Sequence, residues 1–254
     1  MKIFVCVKHV PDTAANVKIV NGNSFDESVK FVVNPYDEYA IEEAVQIKKD
    51  KGGEVIIVTL GTTKAVASIR SALAMGADRG IHIKTDELMV DAMTTSKALK
   101  KAIEQDGGAD LVLTGKQSVD TEGMQTQYYL AQELGLPVVT DAVSLSLEND
   151  QAIVECDQGS GELAIMELDL PCVIGANKGL NEPRYPKLPD ILKAKRKSVK
   201  ELALTDLVPQ KPDQKINVIS LEAIPEKGEA TILEGNTTEA VDKLVAIFRE
   251  NAVI

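Results

Sequence analysis

Apolar positions along the first 135 residues follow two rhythms. Short, nearly unbroken apolar runs at residues 2–10, 54–60, 80–84 and 110–114 read as strands buried on both faces. Between them, residues 37–51, 63–75, 89–105 and 121–134 carry apolar side chains every three or four positions, the period of an amphipathic helix. In the first of these, Ala40, Ile41, Ala44, Val45 and Ile47 mark the inward face. Gly61, Gly76 and the Gly135/Pro137 pair punctuate the elements. Apolar strands separated by helices predict an α/β fold: a mostly parallel sheet with helices on both faces.

After Pro137 the rhythm changes. Residues 138–147, 152–156, 163–168 and 171–176 read as strands joined by turns at Asn149-Asp150 and Gly159-Ser160-Gly161, so antiparallel strands are added late. Residues 16–33 read as a hairpin turning at Asn21-Gly22-Asn23. From Ser198 onward the packing signal thins: Pro209, Pro212 and Pro225 interrupt short apolar pieces at 216–221 and 231–233. A helix over 237–251 follows, with Ala240, Leu244, Val245 and Phe248 on one face. About fifty residues with so few core positions are too long for a loop. The expected organisation is an α/β domain over residues 1–197 and an extended C-terminal arm over 198–254 that lies on another subunit.

Composition narrows the function. A chain of 254 residues, 44% hydrophobic, can bury a sizeable core, and with 4% aromatics and no Trp that core is built from Val, Ile, Leu and Ala. The 39 acidic against 28 basic side chains, net −11, argue against a nucleic-acid partner. Cys6, Cys156 and Cys172 each sit in an apolar run and read as buried reduced thiols. Two histidines without HExxH or CxxC exclude a zinc or haem site. No apolar run approaches the roughly 20 residues that span a bilayer, and the amino terminus runs straight into a strand; a cytoplasmic or mitochondrial-matrix protein is expected.

In an open parallel sheet the ligand site lies at the carboxyl ends of the strands. Residues 6–13, 34–37, 60–62 and 115–126 lie at that edge and would converge on one crevice. The strongest segment is GKQSVDTEGMQT, where Gly115, Lys116, Gln117, Ser118, Val119, Asp120, Thr121 and Glu122 lead into Gly123, Met124, Gln125 and Thr126 at a helix start. Free N–H groups there, with Gly123 permitting close approach and a Thr hydroxyl adding a donor, suit a phosphate. Neither the GxGxxG nor the GxxxxGK[ST] fingerprint is met. Turn glycines at 115 and 123 and a Thr121 cap explain the same residues. No nucleophile lies beside a base, so the loop does not read as catalytic. Lys8, His9 and Asp12 are polar ligands or solvated turn residues, His9 by preference the latter.

One further stretch, NKGLNEPRYPKLPDILKAKRK at 177–197, contradicts the composition around it. Lys178, Arg184, Lys187, Lys193, Lys195, Arg196 and Lys197 face only Glu182 and Asp190. Pro183, Pro186 and Pro189 stiffen it. Leu180, Tyr185 and Leu188 are apolar groups that no core pattern claims. A solvated connection and a loop presented to a partner both fit.

Five segments in order, VCVKHVPDT (5–13), NPYDEYAIEEA (34–44), ALAMGADRGIHI (72–83), DLVLTGKQSVD (110–120) and LNEPRYPKLPDILKAKRK (180–197), resemble the β subunit of electron-transfer flavoprotein over essentially the full length. The resemblance implies a non-catalytic subunit of a heterodimeric electron carrier with a Rossmann-like nucleotide-binding fold, with redox FAD held mainly by the α subunit and AMP in the β subunit. It places AMP contacts on Cys6, on Asn34, Pro35, Tyr36 and Asp37, on Leu60, and on Gly115 to Thr126. It makes 177–197 a recognition loop for acyl-CoA and other flavin dehydrogenases, with Leu180 as anchor beside Asn181, Glu182, Pro183, Arg184 and Tyr185. Electrons then pass to a membrane quinone oxidoreductase. Thr13 stands where some members have a Tyr beside the flavin ring, so that contact does not carry over. VPDT also occurs in the electron-bifurcating branch, whose β subunit binds a second FAD and oxidises NADH. That branch reads DGDTAQVG where this chain has Asp120 to Gln127, and the bulk of Gln127 favours AMP.

Overall fold

A computed structural model describes residues 1–253 apart from 21, 23, 27, 210–215, 217, 224–227 and 229. The chain runs through β1 (Lys2–Cys6), β2 (His9–Pro11), β3 (Ile19–Val20), β4 (Ser24–Phe25), β5 (Phe31–Val33), α1 (Pro35–Lys51), β6 (Glu54–Gly61), α2 (Val66–Met75), β7 (Arg79–Lys84), α3 (Ala92–Gln105), β8 (Leu111–Gly115) and α4 (Thr126–Leu134). It continues through β9 (Val138–Glu148), β10 (Gln151–Gly159), β11 (Glu162–Asp169), β12 (Cys172–Ala176), α5 (Leu188–Ala194), β13 (Val199–Ala203), α6 (Leu204–Leu207) and α7 (Thr237–Glu250). Nine strands form one sheet in the order β11-β10-β9-β12-β8-β1-β6-β7-β13. Every pair is parallel except the two made by β10, so β10 alone runs against the rest. The fold is the mixed α/β, mostly parallel architecture that the apolar rhythm predicts.

Both faces of the sheet are covered because successive residues of a strand point to opposite sides and both sets are apolar. Ile3, Val5, Val55 and Ile57 pack toward α1, α2 and α5, whereas Phe4, Cys6, Ile56 and Val58 pack toward α3, α4 and α6. From β1 the chain moves one way through β6 and β7 with α1 and α2 on one face. It then returns over α3 to β8 on the other side of β1. Right-handed crossovers require the helices to change face when the direction of strand addition changes. The reversal opens a gap above β1 and β8, at the ends Cys6 and Gly115.

Several boundaries differ from expectation for local reasons. The first apolar run splits: β1 stays in the large sheet, while β2 pairs with β5 in a separate two-stranded sheet. Residues 19–20 and 24–25 pair as the expected hairpin, though Asn21 and Asn23 of its turn lie outside the described residues. Helix α3 starts at Ala92 rather than 89 because Asp91 caps it, accepting a hydrogen bond from Thr94 N at 2.7 Å. Helix α4 starts at Thr126 rather than 121, because Glu122 and Met124 adopt φ of 48° and 51°, incompatible with a right-handed helix.

Past residue 197 the sheet continues. β13 pairs with β7 at the sheet edge, and Leu204 and Leu207 are buried in the core beneath α3, so the α/β unit reaches beyond the expected boundary. Helix α7 has a capping box between Asn236 and Glu239 and no buried residue. Among the described residues, no helix is long and apolar enough to cross a membrane.

Candidate functional site: a strand-end crevice and a proline-rich loop

The gap at the strand reversal is a crevice of about 440 Å³, within the range of small-molecule sites. Strand ends contribute Cys6, Val58, Leu60, Thr114 and Gly115, and the loop between β8 and α4 contributes Gln117, Ser118, Asp120, Thr121 and Gly123 to Gln127. Asn34 and Asp37 enter from the start of α1. Of the residues expected at the site, Pro35, Tyr36, Lys116, Val119 and Glu122 do not line it. Pro35 opens α1, and Tyr36 lies under the Lys116 ammonium at 5.5 Å from the ring centroid. Lys116 is drawn away by Asp141 at 3.1 Å.

Asn34 and Asp37 connect the converging segments. Asp37 is buried, and its carboxylate accepts from Lys8 N at 2.7 Å, Gly115 N at 3.0 Å and Asn34 Nδ2 at 2.8 Å. It thereby joins the ends of β1 and β8 to the first turn of α1. Burial pushes the Asp37 carboxyl up to about 7 although the three donors pull the other way. Asn34 Nδ2 also donates to Gln117 O at 2.8 Å, and its Oδ1 accepts from Val119 N at 3.1 Å, so one amide fixes the loop that follows β8. Gly115 must be glycine here: a Cβ would collide with the Asp37 carboxylate and with Tyr36.

The loop from 116 to 126 ends at a helix start with no side-chain cap. Its sharp turns at Glu122 and Met124 flank Gly123, where a Cβ would meet open space. The amino end of α4 therefore offers its free N–H groups and positive dipole end to an anion. Lys8 Nζ reaches over from β1 to Asp120 Oδ1 at 2.8 Å and Ser118 Oγ at 3.3 Å, and Ser118 and Thr121 hydroxyls meet at 2.9 Å. Ser96 Oγ donates to Thr126 O at 3.0 Å and pins α4 to α3. Gln127 is buried with its Nε2 donating to Lys116 O at 2.8 Å, which locks its bulk in place.

Three groups of lining residues were not foreseen. Residues 87–92, which include Leu88, Met89 and Asp91, follow β7 and lie at the same carboxyl edge as the expected segments; their position after a parallel strand was the available signal. His9 is not a solvated turn residue: it stacks on Phe31 at 4.7 Å with Nδ1 2.7 Å from Ser68 Oγ, and both rings line the crevice. Burial, then Lys64, lowers its pKa and favours the neutral ring. Ile216, Val218 and Leu221 of the arm complete the lining, and Leu221 N donates to Gly22 O at 2.8 Å, so arm and hairpin meet beside the crevice. The three cysteines are buried free thiols, and burial raises Cys172 to about 11.

The proline-rich loop lies on the other face of α1. Leu180 is half-buried and packs on the core cluster under α1 and α2, so it is not freely presented. Tyr185 is 96% exposed and Leu188, at the start of α5, 69%. Asn181 and Arg184 are bonded to Glu43 and Glu42 of α1, while Glu182 is exposed and Pro183 half-buried.

A family profile described as "Electron transfer flavoprotein domain" matches residues 23–207. The electron transfer flavoprotein subunit beta of Bacillus subtilis is 36% identical over 258 residues, covering 100% of each chain. The mitochondrial subunit beta of Arabidopsis thaliana is 37% identical over 249 residues, 96% of this chain and 97% of its own. That of Homo sapiens is 37% identical over 255 residues, 98% of each. The chain therefore belongs to the electron transfer flavoprotein family, among its beta subunits.

Proposed function

We propose that this chain is the β subunit of a heterodimeric electron carrier, that its crevice holds AMP, and that the loop at 177–197 docks flavin dehydrogenases, acyl-CoA dehydrogenases among them. FAD would be held mainly by the α subunit and would supply the electron-carrying chemistry; electrons would leave to a membrane quinone oxidoreductase. Relatives of bacterial and mitochondrial origin fit a cytoplasmic or matrix setting.

The observation that carries the AMP assignment is the uncapped start of α4 facing the strand-end crevice. The phosphate would lie on the N–H groups of residues 123–127, and the adenine would find Leu60, Val58 and Leu88 around it. Gln127 supports a monophosphate over the second FAD of the bifurcating alternative. Its buried amide is tied to Lys116 O where a dinucleotide's pyrophosphate would need room. The exposed Tyr185 and Leu188 give the loop an apolar centre in a basic rim, suited to a contact that must dissociate quickly. Leu180, half-buried where the loop meets the core, would be the anchoring leucine that enters a partner's pocket as the loop docks.

Purification of the chain with its α subunit, followed by release and quantification of nucleotides, tests the assignment. One FAD and one AMP per dimer are expected, and two FAD would overturn it. Leu188→Ala is expected to raise the dehydrogenase KM for the carrier about tenfold, the loss of one buried apolar anchor, with nucleotide content unchanged.

A further inference from the structure

The segment from Leu180 to Lys187 has little backbone bonding of its own. Among the described residues, no backbone N–H of residues 181–187 donates to a backbone carbonyl, and Pro183 and Pro186 have no N–H to give. Two adjacent carboxylates of α1 hold it instead. Glu42 accepts from Arg184 Nε and Nη2, each at 2.7 Å, and from Arg184 N at 3.2 Å. Glu43 Oε2 accepts from Asn181 Nδ2 at 2.8 Å, and the same amide donates to Tyr39 O at 3.0 Å. Both carboxylates are buried, at 4% and 7% exposure. A buried carboxylate is costly unless paired. Two in succession on a helix whose other buried positions are mainly Ala, Ile and Val therefore need the loop as much as the loop needs them. The fork geometry of the Arg184 pair also fixes direction, so the next residue, Tyr185, is left pointing into solvent.

We propose that Glu42 and Glu43 are positioning residues that preset the loop, so that Tyr185 and Leu188 stand ready before a partner arrives. A short-lived contact then avoids the cost of ordering a proline-broken segment at each encounter. The inference rests on the reading of 177–197 as a docking loop, but its first consequence, loop order, is independent of that reading.

The test uses the purified heterodimer carrying Glu42→Gln, which keeps the side-chain shape, and separately Arg184→Lys, which keeps the charge but removes the fork. Hydrogen exchange of the Arg184 amide, the loop N–H that Glu42 accepts, is expected to rise on the order of tenfold, with exchange in the sheet and nucleotide content unchanged. The dehydrogenase KM is expected to rise by a similar factor while kcat holds. Unchanged loop exchange in both variants overturns the clamp. Looser loops with an unmoved KM overturn the presetting role, provided Leu188→Ala does raise KM. If Leu188→Ala is also silent, the docking reading fails, and exchange alone then decides the clamp.

Discussion

At Gly115 the space available is set by two neighbours at once: the Asp37 carboxylate accepts its N–H while the Tyr36 backbone and Cβ crowd the position of a missing side chain. Gly115→Ala is expected to lower stability by about 3 kcal/mol, the upper end for forced overpacking, read as a shift in the urea midpoint. Asp37→Asn tests the same junction differently. Each carboxylate oxygen faces at least one N–H, so an amide must turn its own NH₂ toward a donor. A loss of about 2 kcal/mol or more is expected, together with weaker nucleotide retention. The sequence marked Gly115 and Asp37 by their place near strand ends and, through the family resemblance, as nucleotide contacts, but not as partners of each other. Their contact spans 78 positions and could not be read from spacing. Glu42 and Glu43 were wholly hidden, since acidic residues within a helix ordinarily read as its solvent face and only the fold shows what lies across from them.

Elements were legible where one periodicity ran unbroken. The strands β1, β6, β7 and β8 and the helices between them emerged close to their observed places because unbroken apolar runs give way to apolar residues at a period of 3.6. The start of α4 did not, because left-handed turns at Glu122 and Met124 leave no trace in hydrophobicity. β13 was missed because an edge strand needs core residues on few positions, and only half of VKELA is shielded. The loop on α1 carries its own pH signature. Burial pushes the Glu42 carboxyl up, but the Arg184 and Gln46 hydrogen bonds outweigh it and hold the carboxyl below its ordinary value. Its stabilisation is thus complete above the unfolded value of 4.5 and is lost as pH falls through the lower folded value. The difference in loop exchange between the native chain and Glu42→Gln is expected to be constant at neutral pH. It should shrink only as pH falls below the unfolded value of 4.5; a difference that closes between pH 6 and 7 would assign the effect to another group.

At the scale of the molecule, the parallel sheet and its covering helices form one unit that ends near Val208, and among the described residues beyond it the chain adds side chains to the crevice but none to the core. A chain ending at Pro209 is therefore expected to keep its fold, with a thermal midpoint within about 5 °C of the full chain. It should lose nucleotide on gel filtration and, through loss of α7, fail to hold the α subunit. A collapse of the truncated chain would place the arm in the folding core. Helix α7 leaves Val241, Leu244, Ile247 and Phe248 exposed, where the 3.6-residue period marked Ala240, Leu244, Val245 and Phe248 as one face, and we propose that this side of the helix lies on another subunit.

The meeting of Leu221 with Gly22 has a kinetic meaning. The two residues lie far apart in sequence and come together beside the crevice, next to side chains that line it. Were the proposed nucleotide covered by that contact, it would leave no faster than arm and hairpin separate. Its residence time would be governed by that opening rather than by the strength of its own contacts, and exchange with free nucleotide in the cell would be slow even where the equilibrium affinity is ordinary. A nucleotide held in this way is acquired as the chain folds and then kept, closer to a built-in part than to a ligand that samples its surroundings.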